Sequence, residues 1–216
     1  MTKKIFWDDP YLTELDTLIT SVKDTDITVE QTIFFAFSGG QESDYGTIGN
    51  SRVVQARAED GEIVYTLENG HGLKLGDRVS MKIDWERRYK LMRLHFAAEI
   101  VLELVYQKLG SIRKVGAHIA QDKARIDFEW NENISKVLPD IQKEALQMIE
   151  ANQDIMSAFS DEEKEKRYWE IRGFAKVRCG GTHLKKTGEI GKIELKRKNP
   201  GKGKERIEIY VSENPV

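Results

Sequence analysis

Four side chains in this 216-residue sequence have the types and spacings that can hold a metal ion. His95 and Glu99 lie four apart, so on a helix they share one face about one turn apart and can both reach a single ion. Cys179 and His183 are also four apart, within Cys-Gly-Gly-Thr-His, where two glycines disfavour a helix and favour a tight loop. One thiolate, two imidazoles and one carboxylate suit Zn²⁺, which takes sulfur, nitrogen and oxygen donors in tetrahedral geometry. Each pair alone has a plainer reading. A His and a Glu at this spacing also mark an exposed polar pair, and a cysteine near a histidine also occurs with no ion at all.

Positioning the first pair requires a helix, and Leu91, Leu94, Ala98, Val101, Leu102, Val105 and Leu109 supply apolar residues at helical spacing, with Gly110 as the stop. Positioning the second requires a frame around its loop. Alternating residues from Ile171 to Val177 and from Ile190 to Val211 predict strands on either side. Between helix and loop, Val115 to Trp130 reads as a strand-like stretch, Val137 to Ile149 as a second helix, and Ser160 with Glu163 as the capping box of a short third helix. Upstream, Ile27–Val29, Thr32–Phe37, Val53–Ala58, Ile63–Thr66 and Val79–Ile83 read as strands broken by glycine and Asx turns. The prediction is an α+β protein of two directly packed domains. Residues 1–86 form a glycine-rich, small antiparallel β-barrel-like domain, and residues 87–216 an α+β domain carrying the candidate ligands.

Composition narrows the function classes. Thirty-four Lys plus Arg against thirty-six Asp plus Glu leave a net charge of -2, so no global positive field attracts a polyanion and any nucleic-acid contact is local. One cysteine makes no internal disulfide, and the amino end shows no signal-peptide run, which predicts a cytoplasmic protein. The most apolar helix, Leu91 to Leu109, is interrupted by Arg93, His95, Glu99, Glu103 and Lys108, so no membrane span is expected.

The motif Cys179-Gly180-Gly181-Thr182-His183, continued by Leu184 and Thr187-Gly188-Glu189-Ile190-Gly191, resembles the signature of the alanyl-tRNA synthetase editing domain and its free-standing relatives, the AlaX editing proteins. Thr32 to Gln41 with Asp44 and Gly46 resembles the glycine-rich segment of the synthetase and of the medium-length AlaX type. The opening Trp7 to Leu12 and the stretch Ile83 to His95 resemble that family too, so the likeness covers about residues 6 to 211.

Position by position, the resemblance implies zinc ligands His95, Cys179 and His183, with Glu99 in the fourth place, where the family has histidine. A carboxylate there either coordinates, which with the thiolate formally neutralises Zn²⁺ and weakens its Lewis acidity, or serves as a base beside a three-ligand zinc. The implied activity is trans-editing: hydrolysis of the ester between serine, or glycine, and the terminal ribose of tRNA for alanine. Gln41 corresponds to the glutamine of the family's Gly-Gly-Gln segment, where an amide can orient water or ester; otherwise it is a turn residue. The expected substrate pocket includes Ala117, His118 and Thr182, the last of which alternatively caps its loop.

Expected tRNA contacts are Arg87, Arg88 and Arg93 before the first ligand, and Lys196, Arg197, Lys202 and Lys204 around Gly201 and Gly203. The expected partner is an aminoacylated tRNA, with the chain a monomer or weak homodimer. The competing readings are a non-catalytic zinc- and tRNA-binding relative, marked by Glu99, Arg178 and Ala36 in place of the family's usual proline, or an editor of another aminoacyl-tRNA.

Overall fold

Alternating apolar residues over the first third of the chain fold as antiparallel strands, seen in a computed structural model that describes residues 1–201 and 203–212. The chain divides into two units, Met1–Lys90 and Leu91–Val216. The first holds β1 (Lys3–Lys4), β2 (Glu14–Lys23), β3 (Asp26–Val29), β4 (Gln31–Thr32), β5 (Gly46–Ile48), β6 (Ser51–Glu59), β7 (Glu62–Leu67) and β8 (Arg78–Ile83). Six of these pair in the closed order β2-β3-β7-β6-β5-β8, so no edge remains among them. Inward residues such as Ile19, Ile27, Tyr65, Leu67 and Met81 fill the interior, joined by Ile33 and Phe34. The longest strand, β2, is absent from the sequence prediction because its buried positions alternate through Thr17 as well as Ile19.

Thr32 to Phe37 was expected as a strand, but only Gln31–Thr32 pairs as one. Beyond it, side chains take over the backbone's hydrogen bonding. The Phe34 amide donates to Thr32 Oγ at 2.9 Å and the Phe35 amide to Asp44 Oδ2 at 2.6 Å, while the Asp44 amide donates back to Phe35 O at 3.0 Å. Asp44 is in turn paired with Arg88, both side chains fully buried. Gly46 closes the segment where a Cβ would lie 2.0 Å from Lys82 O.

The second unit carries most of α1 (Trp85–Leu109), which begins in the first unit and is buried nearly all round from Leu91 to Val105. It continues through β9 (Arg113–Ile119), β10 (Ala124–Glu129), α2 (Leu138–Glu150), β11 (Met156–Asp161), β12 (Lys166–Ile171), β13 (Ala175–Arg178), β14 (Ile193–Gly201) and β15 (Lys204–Val211). Two antiparallel sheets result, of order β14-β15-β10-β9 and β11-β12-β13. The class is α+β. Val115 to Trp130 is a hairpin rather than one strand, turned at Ala120, whose amide donates to Lys123 O at 3.0 Å. No third helix forms at Ser160. Burial of Arg167, Trp169 and Ile171 at every second position imposes a strand, and Ser160 Oγ donates to Lys166 O across the turn at 3.1 Å. Among the described residues, no helix is long and apolar enough to cross a membrane.

Candidate metal centre

α1 and the loop after β13 bring three donors of the second unit together. The ligand atoms of His95, Cys179 and His183 all lie within 4.8 Å of one another. Each histidine Nε2 stands 3.2 Å from Cys179 Sγ. Ordinary Zn–S and Zn–N bonds at tetrahedral angles place sulfur and nitrogen about 3.5 Å apart, so this donor set fits zinc with little adjustment. Helical spacing delivers His95 inward from α1, and the Cys179 amide, donating to Arg167 O at 3.0 Å, prolongs the β12–β13 ladder into the loop. Glu99 stands beside the group rather than within it: its Oε1 is 3.5 Å from His95 Nε2 and 3.8 Å from Cys179 Sγ.

The buried groups of the cluster shift one another strongly. Burial alone would push the His95 imidazole down, but the Cys179 sulfur and the Glu99 carboxylate hold it up, to about 10. Burial would likewise raise Glu99, and the adjoining His95, the Trp169 indole and His183 together hold it down to about 2. His183 goes the other way, pushed down by burial and by the charge on His95. A proton on His95 thus places a positive charge beside the Glu99 carboxylate and the Cys179 sulfur.

Two further side chains orient these donors. Ser157 Oγ, on β11, lies 2.8 Å from His183 Nδ1, which directs the other ring nitrogen to the cluster. Trp169 Nε1, on β12, donates to Glu99 Oε2 at 3.0 Å. Ser157 and Trp169 are direct cross-strand partners, so both project from one face of the sheet. Arg167, also buried, lies over the Phe159 ring and reaches Gly181 O at 3.5 Å. None of the three was anticipated from sequence. The available signal was an arginine and a tryptophan on the inward face of one strand.

The other expected site residues fall on separate elements. Gln41 belongs to the first unit, buried where it closes a turn with Ser38. Thr182 is buried within the ligand loop. Ala117 pairs with Ile126 and His118 with Arg125, so the two side chains leave opposite faces of their sheet. The basic patch expected before His95 is not a surface patch. Arg88 donates to Asp44, Ile33 O and Pro10 O; Arg87 to Glu42 and Ser43 O; and Arg93 to Ile190 O and Ser212 O. All three are buried, which removes them from contact with phosphate.

In the carboxy-terminal hairpin, Arg197 is bound by Glu205 through two 2.6 Å bonds and Arg206 by Asp127. Lys196 pairs with Glu194 at 3.1 Å, while Lys198 and Lys204 stand exposed near the tip. Lys202 lies outside the described residues.

Residues 170–208 match the family described as the threonyl and alanyl tRNA synthetase second additional domain. The chain is similar over nearly its whole length to the alanyl-tRNA editing protein AlaX-M of Pyrococcus horikoshii, 34% identical over 215 residues and covering 98% of each chain. It is also similar to the AlaX-M protein of Methanosarcina acetivorans, 32% identical over 247 aligned residues, 96% of this chain and 98% of the relative. An alanine–tRNA ligase of Methanococcus aeolicus is 30% identical over 237 aligned residues, which span 100% of this chain but 26% of the ligase.

Proposed function

The chain belongs to the AlaX-M family of alanyl-tRNA editing proteins, and from that premise we propose that it is a trans-editing hydrolase removing serine, or glycine, from tRNA for alanine. The observation that carries this reading is the convergence of His95, Cys179 and His183 beside a matched segment that contains the second and third of them. These three are the proposed ligands, and Zn²⁺ the proposed ion, which when bound supplies polarisation of an oxygen or anchorage of the substrate.

Of the two roles open to Glu99, fourth ligand or base, the base is the proposed one: His95, Cys179 and His183 group mutually, while Glu99 Oε1 borders two of them. Its Oε1 takes a proton from the attacking water as the water oxygen bonds to the ester carbonyl carbon. The ribose oxygen then leaves with the electron pair of the broken C–O bond and takes up a proton, giving free amino acid and uncharged tRNA. Ser157 holds the His183 ring in place through Nδ1 while this happens, leaving Nε2 toward the cluster. Gln41 is assigned the orienting role on family resemblance alone.

Sparing alanine requires a buried partner for the serine hydroxyl, because a partner left unpaired is what discriminates. Thr182 is the proposed partner, being a buried hydroxyl within the ligand loop. Lys196, Lys198 and Lys204 on the β14–β15 hairpin are the proposed phosphate contacts. The protein is assigned to the cytoplasm, where its tRNA substrate is. The test is amino-acid release from Ser-, Gly- and Ala-tRNA for alanine. Release of serine or glycine with alanine spared is expected, and stability of all three esters would overturn the proposal.

A further inference from the structure

The reaction just described gives Trp169 no part, yet its only polar group is committed to Glu99. Indole Nε1 donates to Oε2 at 3.0 Å, while Oε1 of the same carboxylate faces His95 Nε2 and Cys179 Sγ at 3.5 and 3.8 Å. An indole N–H is a donor only and does not exchange roles as a hydroxyl can, so it distinguishes one carboxylate oxygen from the other. The ring itself has little freedom. Trp169 is fully buried on the central strand of its sheet, edge-on to Phe96 at 5.2 Å between ring centres and parallel to Phe174. Without that donor, the carboxylate could rotate and present either oxygen to the cluster.

We propose that Trp169 is a positioning residue for the hydrolysis: by holding Oε2 it fixes the Glu99 carboxylate so that Oε1 alone faces the cluster and the reacting water. This rests on the base role given to Glu99. Ser157, directly across the strand pair, does the matching service for His183, so one sheet face orients both sides of the cluster.

The hydrogen bond is read first, in metal-free protein, from the four tryptophan indole N–H resonances of ¹⁵N-labelled chain. The resonance missing in Trp169→Phe is expected to move in Glu99→Ala. If Glu99→Ala leaves it in place, the proposal is overturned whatever the kinetics. Turnover of Ser-tRNA is then compared for wild type, Trp169→Phe, Glu99→Gln and the double variant, with metal content measured on each. Benzothienylalanine at position 169, which keeps the ring shape and lacks the N–H, serves as a second variant should Trp169→Phe fold poorly.

The expected result for either Trp169 replacement is a fall in kcat of about 10-fold to 100-fold at unchanged KM and metal content, with no further loss once Glu99 is Gln. Equal losses in both backgrounds, or wild-type kcat in the benzothienylalanine protein, would overturn the positioning role alone. Full activity of Glu99→Gln would instead remove the base reading on which it rests.

Discussion

Replacing Arg88 by Met should destabilise the protein far more than removing a surface charge, because Arg88 and Asp44 are both fully buried and each is the other's counter-ion. Arg88 also donates to Pro10 O at 2.9 Å and Ile33 O at 2.5 Å, so its loss removes a donor from two carbonyls and leaves the Asp44 carboxylate without its counter-ion. Breaking one side of a buried pair costs about 3 to 5 kcal/mol. With about 2 to 4 °C per kcal/mol for a chain of this length, the midpoint should fall by about 6 to 20 °C.

Asp44→Asn should cost less, since an amide oxygen can still accept from the Phe35 amide, and the double variant should be more stable than the two separate losses predict. Urea titration and thermal melting followed by circular dichroism give these numbers. A loss below about 1 kcal/mol, the range of exposed pairs, would refute the reasoning, as would strict additivity in the double variant.

Three further outcomes are expected. Ser157→Ala should weaken zinc binding by about 10-fold to 100-fold in a chelator competition, with Ser157→Thr near wild type; equal affinity in all three would show that the His183 ring is oriented by other contacts. Lys198→Gln with Lys204→Gln should weaken tRNA binding and flatten its salt dependence, whereas Arg197→Gln should act on stability, because Glu205 already holds Arg197; a reversal of these effects would exclude the hairpin tip as the phosphate contact. Stability should also decline in acid. Arg197 holds Glu205 below the usual carboxylate range and Lys123 does the same for Glu208, so their contributions are complete above the unfolded value of about 4.3 and are lost as pH falls through the lower folded values. Glu205→Gln should therefore flatten the acid limb of a denaturation profile, and an unchanged limb would contradict the assignment.

The candidate ligands His95, Cys179 and His183, which the structure brings together, were legible because the chemistry they could do is written in residue type and spacing. His95 needs only a helix to point inward, and Cys179 with His183 needs only a loop. The residues that orient them were not legible, since Ser157 and Trp169 reach His183 and Glu99 through strand register, and no local pattern states which strands pair. The arginines misled for the same reason. Arg87, Arg88 and Arg93 form a basic run in sequence, yet their partners Glu42, Asp44 and Ser212 lie far along the chain. Segments with strict alternation or a clear helical stripe, such as β7 and α2, match their predicted extents closely. The capping-box pattern at Ser160 failed because burial of every second residue in the strand that follows outweighs a local cap.

The central claim is tested most directly by deacylation of Ser-, Gly- and Ala-tRNA for alanine, with zinc content determined on the same sample, for the wild-type chain beside Cys179→Ala. The account predicts about one zinc per wild-type chain and release of serine or glycine with alanine spared, both zinc and release being lost in the variant. Wild-type protein that holds zinc and binds tRNA yet leaves all three esters intact would contradict it, and would make the chain a binding relative rather than an editor.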